Sequence, residues 1–334
     1  MPWKGEKSPY LIWLSEIILQ QTRVEQGLPY YLKFKKHFPD VKKLALASEN
    51  EILKMWQGLG YNTRARNLHA AAKYIQQNFQ GKFPRSYEEI RRLKGVGDYT
   101  AAAVASFAFN LPHAVVDANV FRVLARYYGV TTPVDTAKGK RQFKTLAEKL
   151  ISQDFPAKYN QAIMDFGAVQ CVPKNPGCQK CPLRNGCAAR KKNLVEKLPV
   201  KTKKIRQRQR FFHYFILLDG NFTYIKKREG KDIWRGMFEF PVMESEKKLP
   251  LEKLADAASF RQLFPRISLR KISLAGEFRQ TLSHQKIFAS FYLVQLPARF
   301  DNKNLQKVHR SSLSEHAFPG IIRMFLADDN SHRI

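Results

Sequence analysis

All four cysteines of this 334-residue chain lie within seventeen residues, in the order Cys171, Cys178, Cys181 and Cys187. Such short loops bring four thiols toward one metal centre, whereas disulfides are expected mainly in exported proteins. Structural zinc usually has two cysteine pairs separated by about 15–20 residues, so the serial spacing here favours a [4Fe–4S] cluster. Zinc and unligated thiols stay open as alternatives.

The chain is also strongly basic. It contains 58 lysines and arginines against 28 aspartates and glutamates, a formal net charge of +30. This excess predicts a polyanionic partner, either nucleic acid or an anionic membrane surface. No apolar run approaches the roughly 20 residues that span a bilayer, and the N-terminus lacks the apolar core of a secretory signal. We therefore expect a cytoplasmic protein without an export signal.

Hydrophobic periodicity divides the chain into three parts. Residues 1–187 repeat apolar positions every three or four residues, which predicts helices, whereas residues 211–334 contain short β-branched and aromatic runs, which predict strands. Between them, residues 188–210 hold ten lysines and arginines and one glutamate without a sustained apolar period. We predict an all-α first domain, a basic interdomain linker and a small α+β second domain with these boundaries.

A glycine-containing turn, Gly95-Val96-Gly97, precedes an alanine-rich stretch that favours helix. Glycine permits a tight turn and the close approach of a phosphate. The N–H groups and the positive dipole end of the following helix would hold a backbone phosphate without reading its base. The adjacent cations Arg91 and Lys94 favour this phosphate site over a plain interhelical turn, which stays open.

Two of the scarce acidic residues lie among apolar neighbours. An unpaired Glu16 on an apolar helix would have a raised pKa and could act as a general acid. Asp117 precedes a helix-forming stretch, and as an N-cap it would accept backbone hydrogen bonds that lower its pKa and keep it ionised. Such a pair can break glycosidic bonds. A salt-bridged Glu16 and a purely capping Asp117 are the alternatives.

Several segments carry a closer signal when they are taken together and in order. They are WLSEIILQQTRV, WQGLGYNTRARNLHAAA, LKGVGDYTAAAVASFA, VVDANVFRVLAR and NQAIMDFGAVQC, followed by the cysteines. In these segments the chain resembles the helix-hairpin-helix, [4Fe–4S] DNA glycosylases, and among them the MutY-type adenine DNA glycosylases. The resemblance implies a base-excision-repair enzyme that flips adenine, mispaired with 8-oxoguanine or guanine, out of duplex DNA and hydrolyses its N-glycosidic bond. We further expect one cluster per chain and a monomer associated with the nucleoid.

The resemblance also implies the catalytic residues. Glu16 matches the acid that protonates adenine at N7, and Asp117 matches the anion that stabilises the sugar cation. Tyr99 and Asn119 match residues that the family places beside these carboxylates. Relatives of the endonuclease III type have a nucleophilic lysine where this chain has Tyr99, so we expect a monofunctional glycosylase that leaves an abasic site.

Lesion recognition is implied in the same way. Gln21 and Tyr61 match side chains that insert near the lesion. The second domain resembles the Nudix-like domain of the family, but residues 236–260 lack the acidic helix that holds Mg²⁺ in Nudix hydrolases. We therefore expect a domain that reads 8-oxoguanine, with Ser283 and His284 matching the loop that senses this base through hydrogen bonds.

Some positions depart from the family's pattern. Asn62 replaces a tyrosine, Ala118 a glycine and Leu282 a phenylalanine. The family also usually has a further helix before the Pro-Trp element with which this chain begins. Two other functions stay open: a catalytically inactive DNA-binding protein that senses damage, and an endonuclease III-like pyrimidine glycosylase/lyase.

Overall fold

The computed structural model describes residues 5–202, 207–264, 269–297, 300 and 302–328. Its backbone contacts divide the chain into two compact units. The helical unit comprises Met1–Leu46 and Asn67–Lys204, and the C-terminal unit comprises Ala47–Arg66 and Ile205–Ile334. Residues 47–66 therefore group with the C-terminal unit, although chain order puts them in the predicted first domain. Positions 203–206 of the predicted linker lie outside the described residues.

Helices occupy most of the chain up to residue 191. In chain order they are α1 (Pro9–Leu19), α2 (Val24–His37), α3 (Val41–Leu46), α4 (Glu49–Trp56), α5 (Thr63–Phe79), α6 (Tyr87–Arg92), α7 (Asp98–Phe109), α8 (Ala118–Tyr128), α9 (Ala137–Leu150), α10 (Pro156–Val169) and α11 (Ala188–Lys191). Helices α1, α4 and α6 have serine N-caps. The hydroxyl groups of Ser8, Ser48 and Ser86 each accept a hydrogen bond from the backbone N–H three residues later. The prediction of an all-α first domain is confirmed.

Helix α1 lies in the core of the helical unit. Its residues Trp13, Leu14, Ile17 and Ile18 are each at most 2% exposed. A helix that is apolar nearly all round is buried by its neighbours, and α1 packs on α7 while α8 packs on α10. This packing brings Glu16 close to the N-terminal ends of α7 and α8.

The glycine turn joins α6 to α7 as a hairpin. Gly95 has φ +80°, and a methyl group there would lie 2.7 Å from Cβ of Asn67, so glycine alone fits without strain. Gly97 is the N-cap of α7, and Lys94 is exposed beside it. The hairpin thus presents exposed backbone and a cation at the start of a helix.

The C-terminal unit contains two sheets, a mixed sheet of four strands and an antiparallel sheet of three strands. Its strands are β1 (Arg208–Leu218), β2 (Phe222–Lys227), β3 (Phe238–Glu239), β4 (Val242–Ser245), β5 (Ile272–Thr281), β6 (Gln285–Gln295) and β7 (Gln306–His309). One sheet has the order β4-β1-β6-β5, with β1 parallel to β6 and the other pairs antiparallel; the other has the order β3-β2-β7. The helices of this unit are α4, from the segment Ala47–Arg66, and α12 (Leu251–Ala255), α13 (Ala258–Leu263) and α14 (Gly320–Leu326).

Strand β1 is covered on both faces, which explains its nearly continuous apolar sequence. Alternate residues such as Tyr214 share one core cluster with Phe325 of α14. The intervening residues, such as Phe215, share another cluster with Phe260 of α13. The prediction of a small α+β second domain is confirmed. No helix in the described parts of the chain is long and apolar enough to cross a membrane.

Candidate active site

A cavity of about 1550 Å³ in the helical unit is lined by the residues that the sequence singled out for catalysis. Glu16 enters it from α1, Tyr99 from the first turn of α7, and Asp117 and Asn119 from the start of α8. Gln21, just beyond α1, lines the same cavity and has φ +56°. Residues more than a hundred positions apart in sequence therefore share one site.

Glu16 is suited to carry a proton near neutral pH. Burial raises the pKa of Glu16 to about 7, a hydrogen bond from the Tyr99 hydroxyl opposes this rise, and the negative charge of Asp117 adds to it. The pKa of Tyr99 is raised in turn, first by burial and then by the charge of Glu16. Tyr99 therefore stays a neutral donor at the carboxylate. The sequence prediction of a raised Glu16 pKa agrees with this geometry.

Asp117 caps α8 as predicted. The Val120 N–H donates to Asp117 Oδ1 at 2.7 Å, and Asn119 Nδ2 donates to Asp117 Oδ2 at 2.9 Å. The predicted lowering of its pKa is wrong, however, because burial raises the pKa of Asp117 more than these hydrogen bonds and the charge of Arg122 lower it. Glu16 and Asp117 thus both have raised pKa values.

Arg122 connects this carboxylate with the cysteine segment. Its Nη2 donates to Asn119 Oδ1 at 2.8 Å and to the Gly167 carbonyl at 2.6 Å, and its Nε donates to the Cys171 carbonyl at 2.6 Å. Charged donors make short, directional bonds of this kind. One buried guanidinium therefore orients both the amide that contacts Asp117 and the first cysteine.

All four cysteines are free and partly accessible. Burial raises the pKa of Cys178, and the charges of Cys171, Cys187 and Cys181 add to the rise, so the thiols interact electrostatically. Their side chains do not converge as predicted, because within the described ranges no three His, Cys, Asp or Glu side chains form a group able to hold a metal ion. Metal–thiolate bonds themselves supply the free energy that gathers such ligands. Four free thiols in short loops are still a donor set that fits a thiolate-bound centre, and Arg126 Nη1 donates to one of them, Cys171 Sγ, at 3.4 Å.

The hairpin residues proposed for phosphate binding differ in accessibility. Gly95 and Gly97 are exposed, whereas Val96 is 4% exposed. The Val96 N–H donates to the Leu93 carbonyl at 3.0 Å, and Arg91 Nη1 donates to the Val96 carbonyl at 2.9 Å. Val96 thus serves the turn itself and offers no free backbone group to a ligand.

The predicted lesion-reading residues lie together in the C-terminal unit. Leu282, Ser283 and His284 form the turn between β5 and β6, where Ser283 and His284 are exposed and Leu282 packs against the core. The Ser283 hydroxyl is hydrogen-bonded to the hydroxyl of Tyr61, which is 42% exposed and has φ +48°. Two residues chosen from separate motifs are therefore in direct contact.

Sequence reasoning missed Asp165, one of several further acidic residues that line the cavity. Asp165 of α10 lines it, and Gln161 Nε2 donates to Asp165 Oδ1 at 2.9 Å. The available signal was the one that identified Glu16, an acidic residue among apolar neighbours, here Met164 and Phe166.

Family models and relatives agree on what the chain is similar to. Residues 14–153 match the HhH-GPD superfamily of base excision DNA repair proteins, and residues 213–328 match the NUDIX domain. An adenine DNA glycosylase of Buchnera aphidicola subsp. Baizongia pistaciae is 35% identical over 311 residues, covering 91% of this chain and 84% of that protein. Its counterpart in the subspecies Acyrthosiphon pisum is 33% identical over 303 residues, covering 86% of each.

A solved structure supports a DNA glycosylase fold for more than half of the chain. A thermostable thymine-DNA glycosylase superimposes with a TM-score of 0.54 at 33% identity, covering 57% of this chain and 88% of its own. The resemblance predicted from the sequence motifs is therefore confirmed. The chain belongs to the adenine DNA glycosylase family of base-excision-repair enzymes.

Proposed function

We propose that this protein removes adenine mispaired with 8-oxoguanine or guanine in duplex DNA and leaves an abasic site. The observation that carries the proposal is the meeting of Glu16, Tyr99 and Asp117 in one cavity large enough for a flipped base. In this proposal residues 1–187 form the domain that removes adenine, and residues 211–334 form the domain that recognises the opposite base. Residues 188–210 link the two domains. We propose a monomer that works at the nucleoid, where its substrate is found.

The chemistry is hydrolysis of an N-glycosidic bond. Protonated Glu16 donates its proton to N7 of adenine, so the base leaves as a neutral molecule with the bonding electron pair. Asp117 faces the resulting sugar cation, and three of its contacts, with Val120, Asn119 and Arg122, favour the ionised form. Glu16, now a base, takes a proton from water as the oxygen bonds to the sugar carbon. Asn119 keeps Asp117 oriented.

The same residues support a monofunctional enzyme. A lyase needs an amine that forms a Schiff base with the sugar, and position 99 is a neutral phenol. Borohydride should therefore trap no covalent adduct with DNA. A trapped adduct would favour the pyrimidine glycosylase/lyase alternative.

Contacts with DNA are assigned to three places. The hairpin holds a backbone phosphate at Gly95 and Gly97, with Val96 shaping the turn. Gln21 inserts into the duplex next to the flipped base, and Tyr61 inserts between stacked bases near the lesion. Ser283 and His284 read 8-oxoguanine through hydrogen bonds. These bonds distinguish 8-oxoguanine from guanine because the two bases present different hydrogen-bonding groups.

A [4Fe–4S] cluster held by the four cysteines completes the proposal. Replacing Cys178 by Ser should remove the brown colour and the bound iron, because an alcohol does not replace a thiolate ligand. DNA affinity should fall when the cluster is lost, because the cluster holds in place a segment whose cations Lys174, Lys180 and Arg184 contact phosphates. Iron analysis and binding measurements check both results. Stoichiometric zinc without iron in the unsubstituted protein would contradict the cluster.

Gly95 tests the hairpin separately. Gly95→Ala should lower the free energy of unfolding by about 1–3 kcal/mol, because alanine is strained at φ +80° and its methyl group meets Asn67. Nonspecific DNA affinity should fall as the hairpin shifts. Denaturant unfolding and binding to undamaged duplex measure the two effects. Gly220→Ala, also at positive φ but in open space, is the control, and equal loss of DNA affinity in both variants would contradict the phosphate site.

The decisive experiment is adenine release from defined duplexes. Duplexes with adenine opposite 8-oxoguanine, guanine or thymine are incubated with the protein and then treated with alkali, which cleaves only at abasic sites. Cleavage at the first two and none at the third is expected. Tight binding to the 8-oxoguanine duplex without cleavage would favour the inactive damage sensor instead.

A further inference from the structure

The turn that carries Tyr61 is an unusual piece of backbone. Within Gln57–Asn62, here called the tyrosine turn, Gly58, Gly60 and Tyr61 all have positive φ, at 101°, 74° and 48°. Arg64 Nη2 donates to the carbonyls of Leu59 and Gly60 at 3.2 Å each, and its guanidinium lies 5.7 Å from the centre of the Tyr61 ring. The start of α5 thus supports the turn from one side.

The other side of the tyrosine turn is supported by the loop between β2 and β3. The Asn62 amide contacts the Met237 sulfur, and Lys227 Nζ lies 3.5 Å from Glu49 Oε1 at the start of α4. Gly236 is buried against α4, where an added methyl group would lie 3.2 Å from Leu53 Cδ1. All these residues belong to the C-terminal unit.

The loop Arg228–Met237, here called the β2–β3 loop, is closed by its own backbone. The Arg228 N–H donates to the Met237 carbonyl at 2.9 Å, and the Gly236 N–H donates to the Arg228 carbonyl at 2.7 Å. Trp234 has φ +61°, a strained backbone conformation for a residue other than glycine. Its ring is held edge-on to Phe212 at 5.8 Å. Such strain persists only where surrounding contacts hold the backbone in place.

A network of charges fills the inside of the β2–β3 loop. Arg228 is hydrogen-bonded to Glu239, which is 3% exposed, and its Nη2 donates to Asp232 at 3.1 Å. Arg210 donates to Asp232 at 2.7 Å and to Glu244 at 2.6 Å. Arg210 and Glu239 are buried, so both of these charges need their partners, whereas Asp232 and Glu244 lie at the surface. The loop is therefore tied to β1 and β3, and through Arg210 to β4, by charged pairs, although half of its residues are exposed.

We propose that the β2–β3 loop is a specificity element: by holding the tyrosine turn through Gly236 and Met237, it keeps the Tyr61 hydroxyl on Ser283 and so sets how well 8-oxoguanine is distinguished from guanine. Adenine chemistry resides in the helical unit and does not need the loop. This inference rests on the proposed function. If the tyrosine turn is displaced, the hydrogen bond between Tyr61 and Ser283 is lost and Ser283 is no longer oriented toward the lesion. One such hydrogen bond contributes about 2- to 12-fold to the discrimination between 8-oxoguanine and guanine.

Two glycines of the same loop provide the test. Gly236→Ala places a methyl group against α4 at φ +84°, whereas Gly230→Ala meets nothing within 4 Å and is the matched control. Met237→Leu is a second variant of nearly equal volume that removes the sulfur next to Asn62. Single-turnover rates of adenine release are measured opposite 8-oxoguanine and opposite guanine, and their ratio is compared with that of the unsubstituted protein.

We expect the ratio to fall about 5- to 10-fold in Gly236→Ala, to fall less in Met237→Leu, and to stay the same in Gly230→Ala. A general loss of stability would lower both rates together and leave the ratio unchanged, and that result would overturn the inference. Amide hydrogen exchange gives a readout that does not need activity. Exchange in residues 57–66 should quicken in Gly236→Ala while exchange in the hairpin at 93–97 stays unchanged.

These readouts separate the inference from the proposed function. An unsubstituted protein that releases no adenine contradicts the proposed function alone, and hydrogen exchange still tests the support of the turn. An active protein whose Gly236→Ala variant matches the Gly230→Ala control in both ratio and exchange contradicts the inference alone.

Discussion

Glu16→Gln is expected to lower the single-turnover rate of adenine release by about 10²- to 10⁴-fold and to leave affinity for the mispaired duplex nearly unchanged. The amide has the shape of the carboxyl group but carries no proton to donate. Alkaline strand cleavage measures the rate, and fluorescence anisotropy measures binding. Glu25→Gln, an exposed position at the start of α2, is the matched control and should keep the full rate. Full turnover by Glu16→Gln would remove Glu16 from the mechanism.

The pH dependence of the reaction follows from the same group. Burial raises the pKa of Glu16 to about 7, so the protonated acid is present below that pH and the rate should fall about tenfold per pH unit above it. The Tyr99 hydroxyl stabilises the ionised carboxylate and lowers its pKa. Tyr99→Phe should therefore move the fall to higher pH. If the rate of the Glu16→Gln variant still falls above pH 7, the titration of another group causes the fall.

Asp117→Asn is expected to lower the rate of adenine release by about 10²- to 10³-fold, because the amide cannot stabilise a developing sugar cation. Asn can still accept the hydrogen bond from the Val120 N–H, so the helix keeps its cap. Burial raises the pKa of Asp117, which means that the ionised form is disfavoured in the folded protein. The variant should consequently unfold at the same temperature or a higher one at pH 7.

Asp40→Asn is the control for this substitution. Asp40 accepts a hydrogen bond from the Lys43 N–H at 2.7 Å at the start of α3 and does not line the cavity. Both measurements on Asp40→Asn should match the unsubstituted protein. Loss of thermal stability in Asp117→Asn in proportion to its loss of rate would make Asp117 a structural cap and not a catalytic group.

Local patterns predicted several parts of the site because these parts depend on neighbours in the chain. The periodicity around Glu16 and the alanines after Gly97 specify helices, and the glycine at position 95 marks a backbone that only glycine adopts easily. The cap at Asp117 is equally local, since its partners are Asn119 and Val120. These features need no knowledge of the fold.

Other parts could not be predicted because they depend on distant residues. The direction of the Asp117 pKa shift was wrong from sequence, since burial by the packed helices outweighs its local hydrogen bonds. Asp165 has apolar neighbours as Glu16 does, but only packing shows that α10 faces the cavity. The spacing of the cysteines predicts shared ligation, but the spacing does not gather their side chains.

The sequence by itself determined that an all-α part precedes an α+β part, where the glycine hairpin lies, and to which family the chain belongs. Those properties follow from residue order and short-range backbone preference. Only the tertiary structure decided how deeply the cavity buries Glu16, Tyr99 and Asp117, and that Tyr61 contacts Ser283 within the C-terminal unit. Burial and electrostatic interaction act across space, so a carboxyl group's pKa and a tyrosine's partner are set by packing.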